Sequence, residues 1–146
     1  MVNANQAAST PRFVKLGPDG EQLPADAPKW EAVLDTRSGL IWAVKAVKVA
    51  NWKKADAAAK KCRAAGFDDY RVPTVEELFL LADRTRYSPA IDTDYFPDCP
   101  SDWFWTSTPW ASSPGDYAWF VSFNYGVAFV GFQGSFGFVR AVRVGQ

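Results

Sequence analysis

The chain has 146 residues, one domain's worth, and its sixteen basic residues cancel its sixteen acidic ones, so it lacks the cationic excess of a nucleic-acid binder. The absence of histidine removes Ser-His-Asp and Cys-His catalysis together with His-ligated zinc. No apolar run approaches the roughly 20 residues that membrane insertion by a helix requires.

Residues 1–29 are polar and spaced by Pro11, Pro18, Pro24 and Pro28, with a turn signal at Pro18-Asp19-Gly20. They read as an irregular N-terminal arm ahead of a domain over 30–146. Met1 to Thr10 carries no basic stretch followed by an apolar one, so a chain made in the cytoplasm without a signal peptide is expected. Ala32-Val33-Leu34 and Leu40-Ile41-Trp42-Ala43-Val44 flank Asp35-Thr36-Arg37-Ser38-Gly39, the pattern of a hairpin with glycine in its turn.

Asn51 then stands as an N-cap, and Trp52, Ala55, Ala58, Ala59, Cys62 and Ala65 recur at helical spacing until Gly66. A helix near 51–65 is predicted, with Lys53, Lys54, Lys60, Lys61 and Arg63 largely off its apolar stripe and forming a solvated face. Thr74-Val75-Glu76-Glu77 is a capping-box pattern that starts a second helix, near 74–83. Strands are expected after residue 103. Tyr117–Phe123 alternates, Asn124-Tyr125-Gly126 makes a tight turn, Val127–Phe132 forms the next strand, and Phe138–Val144 a further one. Helices followed by an antiparallel meander give an α+β order, and pairing of the N- and C-terminal strands would close the domain.

The last third differs in chemistry from the rest. Of the chain's 23 aromatic residues, 15 fall between Tyr95 and Phe138. Between Arg86 and Arg140 the only ionised side chains are Asp92, Asp94, Asp98, Asp102 and Asp116. Such a segment is a poor partner for phosphate and suits a protein surface or sugar rings. The ordinary alternative is that these aromatics form the core of a Trp-rich domain. Cys62 and Cys99 are two thiols without a C-x-x-C pair; they read as free rather than as a disulfide scaffold or metal ligands.

Five blocks in order carry a resemblance. Asp35-Thr36-Arg37-Ser38-Gly39-Leu40-Ile41-Trp42, the Trp52 helix with Cys62, Arg71-Val72-Pro73-Thr74-Val75-Glu76-Glu77-Leu78, Trp105-Thr106-Ser107-Thr108 with Ala118-Trp119, and Val139-Arg140-Ala141-Val142-Arg143 resemble the motifs of the Lcl C-terminal domain family over roughly 30–144. Tyr70 stands where that family usually has Trp. The resemblance implies a C-type-lectin-like single domain, with two helices and a C-terminal antiparallel sheet. Relatives of that fold include phage tropism determinants, whose C-terminal region displays receptor-contacting residues, and formylglycine-generating enzymes.

The chemistry of those relatives does not carry over intact. The Glu-Pro-Asn, Gln-Pro-Asp and Trp-Asn-Asp strings of calcium-dependent sugar binding are absent. Asp92, Asp94 and Asp98 fail EF-hand spacing, because Phe96 takes the fifth place and no glutamate closes the loop. Glu76 and Glu77 are adjacent and diverge on a helix, so they cannot flank a glycosidic bond. Neither an enzyme nor a cofactor or metal site is expected.

The segment from Asn124 to Phe138 interleaves aromatics with Gly, Ser and Ala, as a paratope does. In Val127–Phe132 both faces carry apolar groups, Val127 and Phe129 on one, Ala128, Val130 and Phe132 on the other. A half-solvated strand would show polar residues on one of them. Tyr125, Phe129, Phe132 and Phe136 are therefore the candidate partner-binding residues, the rival reading being a surface buried by the domain's own helices or a sister subunit. The expected function is a binding module, a virion-associated receptor-recognition protein of a phage tail fibre or baseplate that contacts a bacterial surface protein or glycan. The alternative is a structural virion component, a capsid or tail decoration, that forms homo-oligomers through the aromatic sheet.

Overall fold

The computed structural model of the protein describes residues 11–145. Met1–Thr10, where a leader was sought in the sequence, lies outside the described residues. Among the described residues nine strands form two sheets, and two short helices lie between the fourth and fifth strands. The first sheet has the order β1 (Phe13–Leu16), β2 (Ala32–Asp35), β3 (Leu40–Ala43) and β9 (Val142–Val144), all antiparallel. The second has the order β4 (Val47–Val49), β8 (Gly137–Val139), β5 (Trp103–Pro109), β6 (Tyr117–Ser122) and β7 (Val127–Phe132), with β5 and β8 parallel. The architecture is α+β, as expected from the sequence.

Several boundaries differ from the expectation. Residues 13–16 are not part of an irregular arm but the first strand of a sheet, because Phe13 and Leu16 are buried there. Lys15 is buried too; its ammonium lies 3.8 Å from the centre of the Trp30 ring and donates to the Ala27 carbonyl. The C-terminal strand joins β3 rather than β1, so the two terminal strands share a sheet at its opposite edges. Phe138–Val144 is two strands in two different sheets, separated at Arg140-Ala141.

The first helix is also shorter. Asn51 caps a 3-10 turn, Trp52–Lys54, which leads into α1 (Ala55–Lys60). The chain leaves the helix before Gly66: Ala65 adopts φ +57°, and its N–H donates to the Glu31 carboxylate at 2.8 Å. The carboxylate of Glu31, 34 positions away in sequence, thus holds Ala65 outside helical geometry, and Gly66, at φ +80°, completes the turn. The second helix, α2 (Val75–Leu81), has the expected capping box, with Thr74 and Glu77 bonded reciprocally.

Packing explains why the second sheet reads as apolar on both faces. The register sets Phe104 beside Val121 and Trp105 beside Phe120. On one face Phe104, Val121 and Phe123 meet Leu78 and Leu81 of α2, Ile91, Phe96, and Val33, Trp42 and Val142 of the first sheet. On the other, Trp105, Ala118 and Phe120 meet Ala55 and Ala59 of α1, Tyr70 and Val72. A sheet covered on both sides has no use for polar alternation. Trp105 lies so close to Gly137 that a Cβ there would sit 2.7 Å from the indole nitrogen.

Arg140 is fully buried where the two sheets meet. Its guanidinium donates to the carbonyls of Ala43 (2.9 Å) and Val44 and reaches Cys99 Sγ at 3.4 Å, with the Phe96 and Phe104 rings 4.9 and 5.4 Å away. Burial pushes its pKa down, while burial pushes the Cys99 thiol up against the opposing pull of Arg140. Arg140→Ala is expected to cost about 3–5 kcal/mol in urea unfolding, since it leaves two buried carbonyls unpaired and a cavity between two rings. Arg140→Met, which refills the space, is expected to cost less.

Glu77 supplies a pH dependence. Its carboxylate accepts two bonds from Arg71, at 2.7 and 2.8 Å, and one from the Thr74 N–H at 2.9 Å. The Arg71 bonds, ahead of the cap, hold its pKa below the ordinary 4.5. A lowered folded value means that this stabilisation is complete above 4.5 and is lost as pH falls through the folded pKa. Acid titration of Glu77→Gln followed by circular dichroism should show a flatter decline in stability below that pH than the parent.

Candidate functional site

All four aromatic residues singled out in the sequence stand in solvent: Tyr125 is 67% exposed, Phe129 61%, Phe132 57% and Phe136 50%. They are not buried by the domain's own helices. Their positions follow from β7 and its two ends. Tyr125 occupies the β6–β7 turn, which closes through Gly126 at φ +76° and its N–H to the Ser122 carbonyl at 2.8 Å. Phe129 and Phe132 project from opposite faces of β7, because strand side chains alternate. Phe136 lies past the far end, with the Lys48 ammonium 4.6 Å from its ring centre. The six-residue strand therefore spreads the four residues along roughly 20 Å rather than gathering them at one point.

Further aromatic side chains flank both faces of the strand. On the Phe129 face, Trp103 stacks on Phe120 with ring centres 4.0 Å apart and planes 12° from parallel. Gly131 permits this stack, since a Cβ there would lie 3.0 Å from Trp103 and 3.1 Å from Phe120. Trp103, Tyr125, Val127 and Phe129 border a shallow cavity of about 440 Å³. On the opposite face Phe132 packs edge-on against Tyr117 at 6.2 Å, and Tyr117 against Trp110 at 5.6 Å. Phe132 also folds over Gly134, where a Cβ would overlap its ring. Such a surface offers large, preorganised apolar area flanked by hydroxyls and amides. The sequence reading missed Trp103, Trp110 and Tyr117. The sequence held no direct signal for them: a three-residue turn at Asn124-Tyr125-Gly126 would set Tyr117 opposite Gln133, whereas the observed four-residue connection pairs Ser122 with Val127 and so Tyr117 with Phe132.

A second feature lies beside α1. A groove of about 790 Å³ has Trp30 and Ala43 among its apolar lining and Lys45, Lys48, Lys54, Lys61 and Arg63 around it. Among the described residues none of these five cations takes part in an ion pair. Glu31, in the same groove, is engaged with Ala65. Lysines that looked like a solvated helix face thus combine with two from the loop and strand before it, a grouping that no periodicity announces. Cys62 is half-buried at its edge, and burial pushes the pKa of its thiol up. Both thiols are free.

Several carboxylates elsewhere are engaged within the fold. Glu77 belongs to the cap, Asp69 pairs with Arg143, and Asp92 accepts from the Asp94 N–H and faces Arg86. Among the described residues no three His, Cys, Asp or Glu side chains gather to hold a metal ion.

The model of the Lcl C-terminal domain matches residues 31–143, and the chain belongs to that family. The match begins just before β2 and ends within β9, so it takes in eight of the nine strands and both helices. No curated protein matches the chain. The exposure of Phe129 and Phe132 predicts that Phe129→Ser and Phe132→Ser fold normally, with thermal or urea stability within about 0.5 kcal/mol of the parent. Phe120→Ser, 5% exposed and under Trp103, should unfold far more readily by the same measurement.

Proposed function

We propose that this protein is a non-enzymatic binding module with a C-type-lectin-like fold, acting on a phage particle as a receptor-recognition protein of the tail fibre or baseplate. Its receptor is a protein or glycan on the bacterial surface. The observation that carries this reading is the exposure of Tyr125, Phe129, Phe132 and Phe136 on a segment without an ionised side chain from Tyr117 to Val139. Exposed aromatic anchors on a rigid sheet characterise recognition surfaces. Phe136, in contact with Lys48, joins that surface to the cationic groove, which offers acidic groups of the same receptor an electrostatic seat.

Family membership supports a recognition role, and the resemblance of the family to phage tropism determinants motivates the location. Neither the free thiols, both with raised pKa, nor the locally paired carboxylates favour a catalytic role. The edge position of β7 favours a second reading, a structural particle component whose copies join through this sheet.

Binding of the purified chain to bacterial cells tests the first reading. Phe129→Ser and Phe132→Ser should each weaken it by about thirtyfold, the equivalent of ~2 kcal/mol for an anchor aromatic, while circular dichroism stays unchanged. Unaltered binding by both folded variants would reject these residues as the contact surface. Gold labelling of particles in the electron microscope tests the location.

A further inference from the structure

The two sheets have four edges, and they are treated differently. At β1, the Leu23 N–H bonds to the Lys15 carbonyl and Gln22 bridges Leu16, so residues 22–23 cover the edge. At β9, Arg71 and Val142 exchange both backbone bonds at 2.9 Å. The edge strand β4 has only three residues, with the exposed Lys48 at its centre. Short length, charge and cover are the usual defences of a sheet edge. The edge strand β7 has none of them. It runs six residues, Val-Ala-Phe-Val-Gly-Phe, without charge or proline.

Which backbone groups β7 leaves open can be derived. The Gln133 N–H bonds to the Asp116 carbonyl, and the register pairs Gly131 with Ala118, Phe129 with Phe120 and Val127 with Ser122. In an antiparallel ladder hydrogen-bonded residues alternate. Odd-numbered residues of β7 therefore face β6, and the N–H and C=O groups of Ala128 and Val130 point away from the sheet. The Phe132 carbonyl also points outward but accepts the Ser135 N–H at 2.9 Å. Among the described residues no backbone bond engages the outward groups of Ala128 or Val130.

We propose that β7 pairs antiparallel with β7 of a second copy of this chain, merging two five-stranded sheets into one continuous sheet across a two-fold axis at Phe129. Among the registers that pair outward residues, this one engages all the open groups of Ala128 and Val130: Ala128 of each copy exchanges bonds with Val130 of the other, and Phe129 lies opposite its own counterpart. The open groups are self-complementary across such an axis, since Ala128 and Val130 each offer one N–H and one C=O two residues apart. The two exposed Phe129 rings cover each other, as cross-strand aromatic pairs do. Neutrality selects a copy as the occupant, since the strand meets no like charge in its own image. Isologous two-fold contact of this kind closes at two subunits. The pairing rests on the second reading above, copies joining through this sheet; in the pair Phe129 is a subunit contact, and Tyr125, Phe132 and Phe136 are left for a receptor.

Sedimentation equilibrium of the full chain, with no ligand present, is the test. The parent is expected at twice 16.2 kDa, and Phe129→Lys, whose circular dichroism should be unchanged, at 16.2 kDa. The register is read by cross-linking. Opposed residues of a non-bonded antiparallel pair have Cα atoms about 4.5 Å apart, within disulfide reach. Phe129→Cys should give a covalent dimer on mild oxidation that neither the parent nor Phe132→Cys gives, since two copies of position 132 lie roughly 20 Å apart in this register. A monomeric parent, a dimer that survives folded Phe129→Lys, or cross-linking through Phe132→Cys instead would overturn the proposal.

Discussion

The buried guanidinium of Arg140 is the constraint around which the two sheets are arranged. A charge removed from water needs hydrogen-bond partners to be tolerated. Here the bonds go to the carbonyls that end β3, while the residue itself links β8 to β9. The same side chain therefore fixes where the chain crosses between sheets and where β3 must stop. Phe96 and Phe104 shield it, and those rings are also the floor on which α2 rests. Among the described residues one nitrogen, Nε, has no partner. The arrangement is thus held by position rather than by surplus bonding, and a lysine could not reproduce its fork.

Much of this was legible in the sequence, and the failures have particular causes. The hairpin around Gly39, the capping box at Thr74 and the turn at Asn124-Tyr125-Gly126 are local devices, so local reading found them. The first helix was overextended because its apolar spacing continues to Ala65, while the carboxylate that ends it belongs to Glu31, 34 positions away. Residues 13–16 read as an arm because four residues between prolines carry little pattern; their pairing with β2 is tertiary. Phe138–Val144 looked like one strand because nothing local shows that Arg140 points inward to carbonyls almost a hundred residues earlier.

The candidate surface was legible for a related reason. Apolar residues on both faces of a strand mean either two-sided burial or an uncovered face, and the segment around β5 and β6 is the first case while β7 is the second. Sequence could not separate them, since Phe120 and Phe129 are the same residue in paired positions. What separates them is the neighbour: Trp103 lies over Phe120, and nothing comparable follows at the edge. The basic groove, by contrast, draws on a loop, a short strand and a helix, and only the fold brings those lysines together.

The stack of Trp103 on Phe120 has a consequence for measurement. Its indole is partly open to water and borders the cavity shared with Tyr125 and Phe129, whereas Trp42 and Trp105 are sealed in the interior. The emission of a half-hydrated indole responds to any molecule that excludes water above it, and that of a sealed one does not. Trp103 is thus an intrinsic optical reporter at the rim of the aromatic surface, placed there by the missing side chain of Gly131.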